Sequence, residues 1–260
     1  MGQTQVRRAG VMHTFRVATY NIHKGVQGVG PARRLEIHNL GHAVEQFDAD
    51  LVCLQEVRAF NRQQARRFKH WPEQGQAEFL APEGYTAVYH TNAVTRHGEH
   101  GNALLSRWPV LAQRHHNISD HRFEQRGLLH VTVDVTAQRS PRVVHVLVVH
   151  LGLLHASRVR QTHMLHDYIA HEVPSEAALI VAGDFNDWGS TVEKMMAEFG
   201  LHSHRPQPVP TFPSRLPLVQ LDHVYARGLQ AVRSFTPRGP IWGRMSDHLP
   251  LLVDFDWTHA

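Results

Sequence analysis

The sequence predicts a single α/β domain rich in strands, and three observations carry that prediction. The chain opens on a strand, helix, strand unit, and short β-type runs recur along its length. No repeat, low-complexity tract or linker divides it. Its 260 residues, 42% of them hydrophobic and 19% charged, suffice for one large core. The expected organisation is a flexible N-terminal segment over residues 1–13 and one domain over 14–257.

FRVATYNI (15–22) alternates as a strand does. In the following RRLEIHNLGHAVEQF, the apolar residues Ile37, Leu40, Val44 and Phe47 recur at helical spacing. ADLVCLQEV is then a continuous apolar run, the pattern of a strand covered on both faces. Three more strand candidates follow: GNALLSRWPV, GLLHVTVDV with Leu129, Val131, Val133 and Val135 in alternation, and the nearly continuous RVVHVLVVHL. A helix is expected over about 156–171, leading into the strand ALIVAGDFN. Ser190 with Glu193 forms a capping-box pattern before VEKMMAEF, and Gly200 falls where that helix should stop. HSHRPQPVPTFPSRLP reads as a long surface loop, a lid or a connector, before the last strands LDHVYA and LPLLVDFDW.

Lys and Arg number 27 against 23 Asp and Glu, a formal charge of +4 with a pI near 9.6. Arginine dominates the excess, as in VRAFNRQQARRFKH, so the expected partner is anionic: nucleic acid first, an anionic phospholipid second. No obligate protein partner is indicated. The one cysteine, Cys53, lies in an apolar run, cannot form an internal disulfide and reads as a buried small hydrophobe. The 23 histidines are scattered and lack paired Cys/His spacing, so most are expected to be surface or packing residues rather than a zinc site. The N-terminus lacks the apolar core of a secretory signal, and the most apolar stretch is too short and too interrupted by His to span a bilayer. A soluble, cytoplasmic protein is expected.

Chemistry enters at the ends of the apolar runs. Asn21 follows VATY, Glu56 follows VCLQ, His150 follows VLVV, and Asp184 with Asn186 ends ALIVAG. Asp222 opens HVYA, and Asp247 with His248 opens LPLLV. Each alone is an ordinary turn former or cap. Together they are carboxylates, amides and imidazoles at strand ends, where α/β sheets gather ligands, and the oxygen donors suit a hard cation such as Mg²⁺ or Mn²⁺.

The ordered set TYNIHKG, LQEV, GNALLSR, VVHLG, GDFN, LDHVY and SDHLP resembles the endonuclease/exonuclease/phosphatase superfamily from about residue 15 to 255, and most of all its bacterial YbhP-type members. The resemblance implies a four-layer αββα sandwich, with two packed mixed β-sheets in the manner of DNase I, and phosphate-ester hydrolysis with Mg²⁺ or Mn²⁺. It makes Glu56 the principal metal ligand, supported by Asn21 and Asp247. Asp184 would position or deprotonate the attacking water, Asn186 would hold a phosphate oxygen, and His248, oriented by Asp222, would contact the phosphate or move a proton. Arg126, in FEQRGLLH, matches a position that approaches the scissile phosphate. His100 and Asn102 lie where some relatives assist the second histidine, His150, and Asn102 is expected, with Arg126, to contact the substrate.

His23 and His150 depart from the pattern of the abasic-site repair enzymes, which favours the branch with a second active-site histidine. That branch holds deoxyribonucleases, sphingomyelinases, inositol polyphosphate phosphatases and deadenylases. His23 and Lys24 face either the substrate or the sheet edge, and Asp187 and Trp188 shape the turn after GDFN. The leading expectation is a nuclease. A phospholipid or small-molecule phosphodiesterase is the alternative, and a non-catalytic binding module on the same scaffold ranks below both.

Overall fold

The computed structural model describes residues 14–135, 142–203 and 208–256. The expected flexible segment 1–13 lies outside them, as do residues 204–207 of the long loop and Trp257 at the end of the last expected strand.

In chain order the strands begin with β1 (Thr14–Asn21), β2 (Val26–Gln27), β3 (Arg34–Leu35), β4 (Leu51–Val57), β5 (Thr86–Thr95), β6 (Gly98–Ser106) and β7 (Val110–Asn117). They continue with β8 (Gly127–Asp134), β9 (Val143–His150), β10 (Ala178–Asp184), β11 (His202–Ser203), β12 (Asp222–Arg227), β13 (Gln230–Phe235) and β14 (Leu251–Asp256). The helices are α1 (Ile37–Phe47), α2 (Arg62–Arg67), α3 (Gln76–Leu80), α4 (His155–Glu172), α5 (Thr191–Glu198) and α6 (Trp242–Met245).

Two six-stranded sheets form, in the orders β13-β14-β1-β4-β6-β5 and β11-β12-β10-β9-β8-β7. Both are mixed, with β1/β4 and β9/β10 parallel and the other pairs antiparallel. Alternation in each strand divides its side chains between two cores. Val17, Leu51, Cys53 and Leu104 of the first sheet meet Val131, Val146, Val148, Ile180, Ala182 and Val224 of the second. The opposite face of the first sheet, through Ala18, Tyr20, Val52 and Leu54, takes the Ile37, Leu40, Val44 and Phe47 stripe of α1. Leu147, Val149, Leu179 and Val181 of the second sheet take Leu165 and Ile169 of α4 with Val192 and Met196 of α5. The layers therefore run helix, sheet, sheet, helix, the expected sandwich, and Cys53 is fully buried in it.

The details correct the sequence reading in three places. GNALLSRWPV is not one strand: β6 stops at Ser106 and β7 begins at Val110. The capping box before α5 does not form, since Ser190 makes no side-chain cap bond. Asp187 caps instead, its Oδ2 accepting from Val192 N at 2.9 Å and Glu193 N at 3.4 Å. The described part of the Pro-rich loop is a buttress. Buried Thr211 accepts from the backbone N–H groups of Leu221 and Asp222, and Ser214 N donates to Asp247 O.

Candidate active site

The alternation that builds the inner core also builds the site. Val17 and Thr19 of β1 point between the sheets, and Asn21 is the next residue on that face. The same step carries Val146 and Val148 of β9 to His150, Ile180 and Ala182 of β10 to Asp184, and Val224 of β12 back to Asp222. Apolar residues fill the inter-sheet space until the strands end, and polar ones fill its mouth. In register, Asp184 lies opposite His150 on one side and Asp222 on the other.

Glu56 reaches the mouth by another route. Strict alternation from Leu54 would place it on the helix-covered face, but the β4/β6 register shifts between Leu54 and Val57, and Glu56 takes φ 57°. Such a bulge re-aims a side chain at a small cost in strain. Asn186, φ 49°, is held the same way in the turn after β10, where its N–H donates to Asp184 Oδ1 at 3.0 Å.

Three nitrogens converge on Asp184 Oδ2: Asn21 Nδ2 at 3.0 Å, His150 Nε2 at 3.5 Å and His248 Nε2 at 3.6 Å. His248 Nδ1 lies 2.8 Å from Asp222 Oδ2. Burial alone would lower the pKa of His248, but the carboxylates of Asp222 and Asp184 outweigh it and raise it to about 10. Burial pushes the Asp184 carboxyl up to about 6, with Asp222 adding to the rise and His248 opposing it. His150 is held well below its usual value by burial and by the positive charge of Arg126.

A second group lies beside the first. Lys24 Nζ is 2.8 Å from Glu56 Oε2, and His23 Nδ1 is 3.1 Å from Asp247 Oδ1. Burial would raise the Glu56 pKa, yet Lys24 and His150 hold it at about 2. Asp247 is likewise lowered, with His23 overcoming the effect of burial. Glu56, Asp247 and Asn21 thus supply two ionised carboxylates and an amide oxygen, a donor set that fits a hard divalent cation. Asp184, Asp222 and His248 also bring three potential ligand atoms within 4.8 Å of one another. There the His248 ring, raised to about 10, carries a proton in place of a free lone pair, so the oxygen-rich group is the better fit.

Asn102 has a different place from the one expected for a substrate contact. It is fully buried, and its amide donates to Gly127 O and Val148 O, both at 3.0 Å, tying β6 to the opposite sheet. No amide hydrogen is left for a phosphate. Arg126 donates to Leu151 O at 3.2 Å and to Glu124 Oε1 at 3.0 Å, and Asn186 Nδ2 donates to the same Leu151 O at 3.0 Å. Both brace the segment that follows His150. His100 feels Lys24 and Glu56 and, mainly through burial, is lowered to about 4.

Two residues went unassigned in the sequence. Ser246, in SDHLP, donates from Oγ to Asn21 O at 2.6 Å and so fixes the Asp247–His248 turn to the end of β1. Arg58 stands beside Glu56, with burial lowering its pKa to about 10 and Glu56 opposing. Its only sequence signal is its place two residues beyond a strand-end glutamate.

The chain matches the model of the endonuclease/exonuclease/phosphatase family over residues 18–248. It is 35% identical over 248 residues to the uncharacterized protein YbhP of Escherichia coli strain K12, covering 93% of this chain and 96% of that protein. Among solved structures, its fold resembles an endonuclease/exonuclease/phosphatase of Beutenbergia cavernae, with a TM-score of 0.70 at 21% identity, over 94% of this chain and 72% of that one. It also resembles a mannosyl-6-phosphatase of Bacteroides thetaiotaomicron, with a TM-score of 0.68 at 17% identity, over 93% and 99% of the two chains.

Proposed function

The chain belongs to the endonuclease/exonuclease/phosphatase family, whose members hydrolyse phosphoric esters, and on that premise we propose that it is a divalent-metal-dependent phosphodiester hydrolase. The observation that carries the reading is the convergence of Asn21, His150 and His248 on Asp184, with His248 backed by Asp222. The two imidazole contacts, at 3.5 and 3.6 Å, are longer than hydrogen bonds, so neither Nε2 is committed to Asp184 and each can serve a phosphate oxygen.

Mg²⁺ or Mn²⁺ held by Glu56, Asn21 and Asp247 would supply Lewis acidity toward the charge that develops on the phosphate oxygens. The remaining work belongs to the chain. Asp184, raised by burial above the usual carboxylate range, is the more basic for it and is placed to take a proton from the attacking water. His248, cationic and oriented by Asp222, donates to a phosphate oxygen or to the departing alkoxide. His150, neutral by burial, offers one further donor, and Asn21 holds Asp184 in place. A carboxylate raised by burial beside an imidazole raised by its neighbours supports acid–base chemistry over a pure binding module.

Two substrate classes compete. The arginine excess and the pI near 9.6 support DNA or RNA. Exposed leucines on the loops beside the catalytic strands favour a phospholipid headgroup. The chemistry is tested with bis-p-nitrophenyl phosphate and Mg²⁺ or Mn²⁺, on the parent chain and on Glu56→Ala and Asp184→Ala. A loss of about a hundredfold or more in each variant is expected. Turnover that survives chelation, or that either variant retains, would refute the assignment.

A further inference from the structure

The loops that leave the catalytic strands carry large apolar side chains into solvent. Past His150 at the end of β9, Leu153 and Leu154 are 63% and 62% exposed, and Phe123 beside them is 81% exposed. Leu153 N donates to Glu124 Oε1, which ties the Phe123 loop to this bank. On the loops that follow β10 and precede β12, Trp188, four residues past Asp184, is 55% exposed, and Leu216 and Leu218 are 66% and 68% exposed. This bank is joined to the catalytic centre by contact. Trp188 packs edge-on against Phe212 with ring centroids 5.6 Å apart, and Phe212 is 5.0 Å from the His248 ring. Leu218 N donates to Phe212 O.

Six exposed apolar side chains thus lie on the loops that adjoin the catalytic strands, with arginines among them. Arg122 lies 4.7 Å over the ring of Phe123, and exposed Arg215 directly precedes Leu216. A nucleic-acid surface is served by aromatic faces on which bases stack, and four of these six residues are leucines, which have none. Leucine and phenylalanine at loop tips beside arginine suit a different surface: hydrocarbon for the tips and anionic headgroups for the guanidinium groups. The arginine excess that first suggested nucleic acid serves this surface equally well.

We propose that the two apolar banks dock on an anionic lipid surface and deliver the phosphodiester of a phospholipid headgroup to the site, a substrate assignment that rests on the hydrolase reading above. The water oxygen adds to phosphorus as one ester P–O bond breaks. The departing oxygen takes a proton, and a phosphomonoester and an alcohol result.

The test uses the full chain, with Leu154→Glu and Leu216→Glu, on vesicles of phosphatidylcholine with and without phosphatidylglycerol. Because both leucines are exposed, folding should be retained, and thermal melting checks it. Expected are cosedimentation with the anionic vesicles alone, a loss of roughly tenfold in vesicle affinity per variant, and unchanged turnover of the soluble diester. Vesicle binding that neither variant weakens would overturn the proposal. So would rapid cleavage of single-stranded DNA or RNA with vesicle lipid left intact, or a parent chain that dimerises through the leucines. Intact vesicle binding without turnover of any diester would instead refute the hydrolase reading and leave the docking surface standing.

Discussion

Lys24 approaches Glu56 from a turn in which His23, Lys24 and Gly25 all have positive φ, at 45°, 60° and 70°. The turn is held by Gln76, whose amide donates to Lys24 O at 2.9 Å. A backbone so constrained presents the Lys24 ammonium and the His23 imidazole to the two carboxylates best suited to a divalent ion. Lys24 and the ion then compete for Glu56. Lys24→Met is expected to tighten Mn²⁺ binding by roughly tenfold, the scale of removing one nearby charge, as read by calorimetry. Weaker binding would instead mean that Lys24 organises the ligands. His248 owes its high pKa to carboxylates that oppose the effect of burial. Asp222→Asn, which keeps the shape and removes the charge, should bring the His248 titration down from about 10, measured by NMR on the chelated protein.

Elements position these residues through backbone features that local propensity does not reveal. Gly183, in β10, passes so close to β9 that an added Cβ would lie 1.9 Å from Val149 O. Gly183→Ala should cost about 3 kcal/mol in urea unfolding and displace Asp184 from His150, with activity falling further than stability accounts for. At the start of α5, Asp187→Ala is expected to cost about 1 kcal/mol, whereas Ser190→Ala should be nearly silent because its hydroxyl caps nothing. The longer strands absent from the sequence reading share a physical cause. β5, β7 and β13 are all edge strands, with largely exposed or half-buried side chains and little apolar alternation to detect. Central strands such as β9 and β10, covered on both faces, were legible because burial demands continuous apolar sequence.

At the scale of the whole molecule, much of the histidine content proves to be packing. His130 lies between Tyr168 Oη at 3.0 Å and His145 Nδ1 at 2.9 Å, and His90 stacks on His115 at 3.7 Å across the edges of the two sheets. Burial lowers His100, His115 and His130 to about 4 and also lowers His145 and His150. A folded-state pKa below the unfolded value gives stability that is present above about 6.5 and lost as pH falls toward 4. His248 acts in the opposite sense, since its raised pKa gives stability that is complete below 6.5 and fades as pH rises toward 10. The chelated protein should therefore be most stable near neutrality, with its urea midpoint dropping steeply between pH 6.5 and 4. A midpoint that is flat across that interval would show that these rings are solvated or charged in the fold.

The sequence by itself determined the class of the fold, its buried strands and the chemical character of the site. Each of these is written in local order, as apolar periodicity and as a polar residue at the end of a run. Asn21, His150, Asp184 and Asp222 could be named as candidates in advance because each stands at the end of an apolar run, in a motif that resembles the family's. Only the tertiary structure decided the rest. It turned Glu56 toward the catalytic residues through a bulge, set Lys24 and His23 on the carboxylates, committed the Asn102 amide to joining the sheets, and left leucines exposed on separate loops beside the catalytic strands. These are consequences of contacts between segments far apart in the chain, and no single stretch of sequence contains both partners.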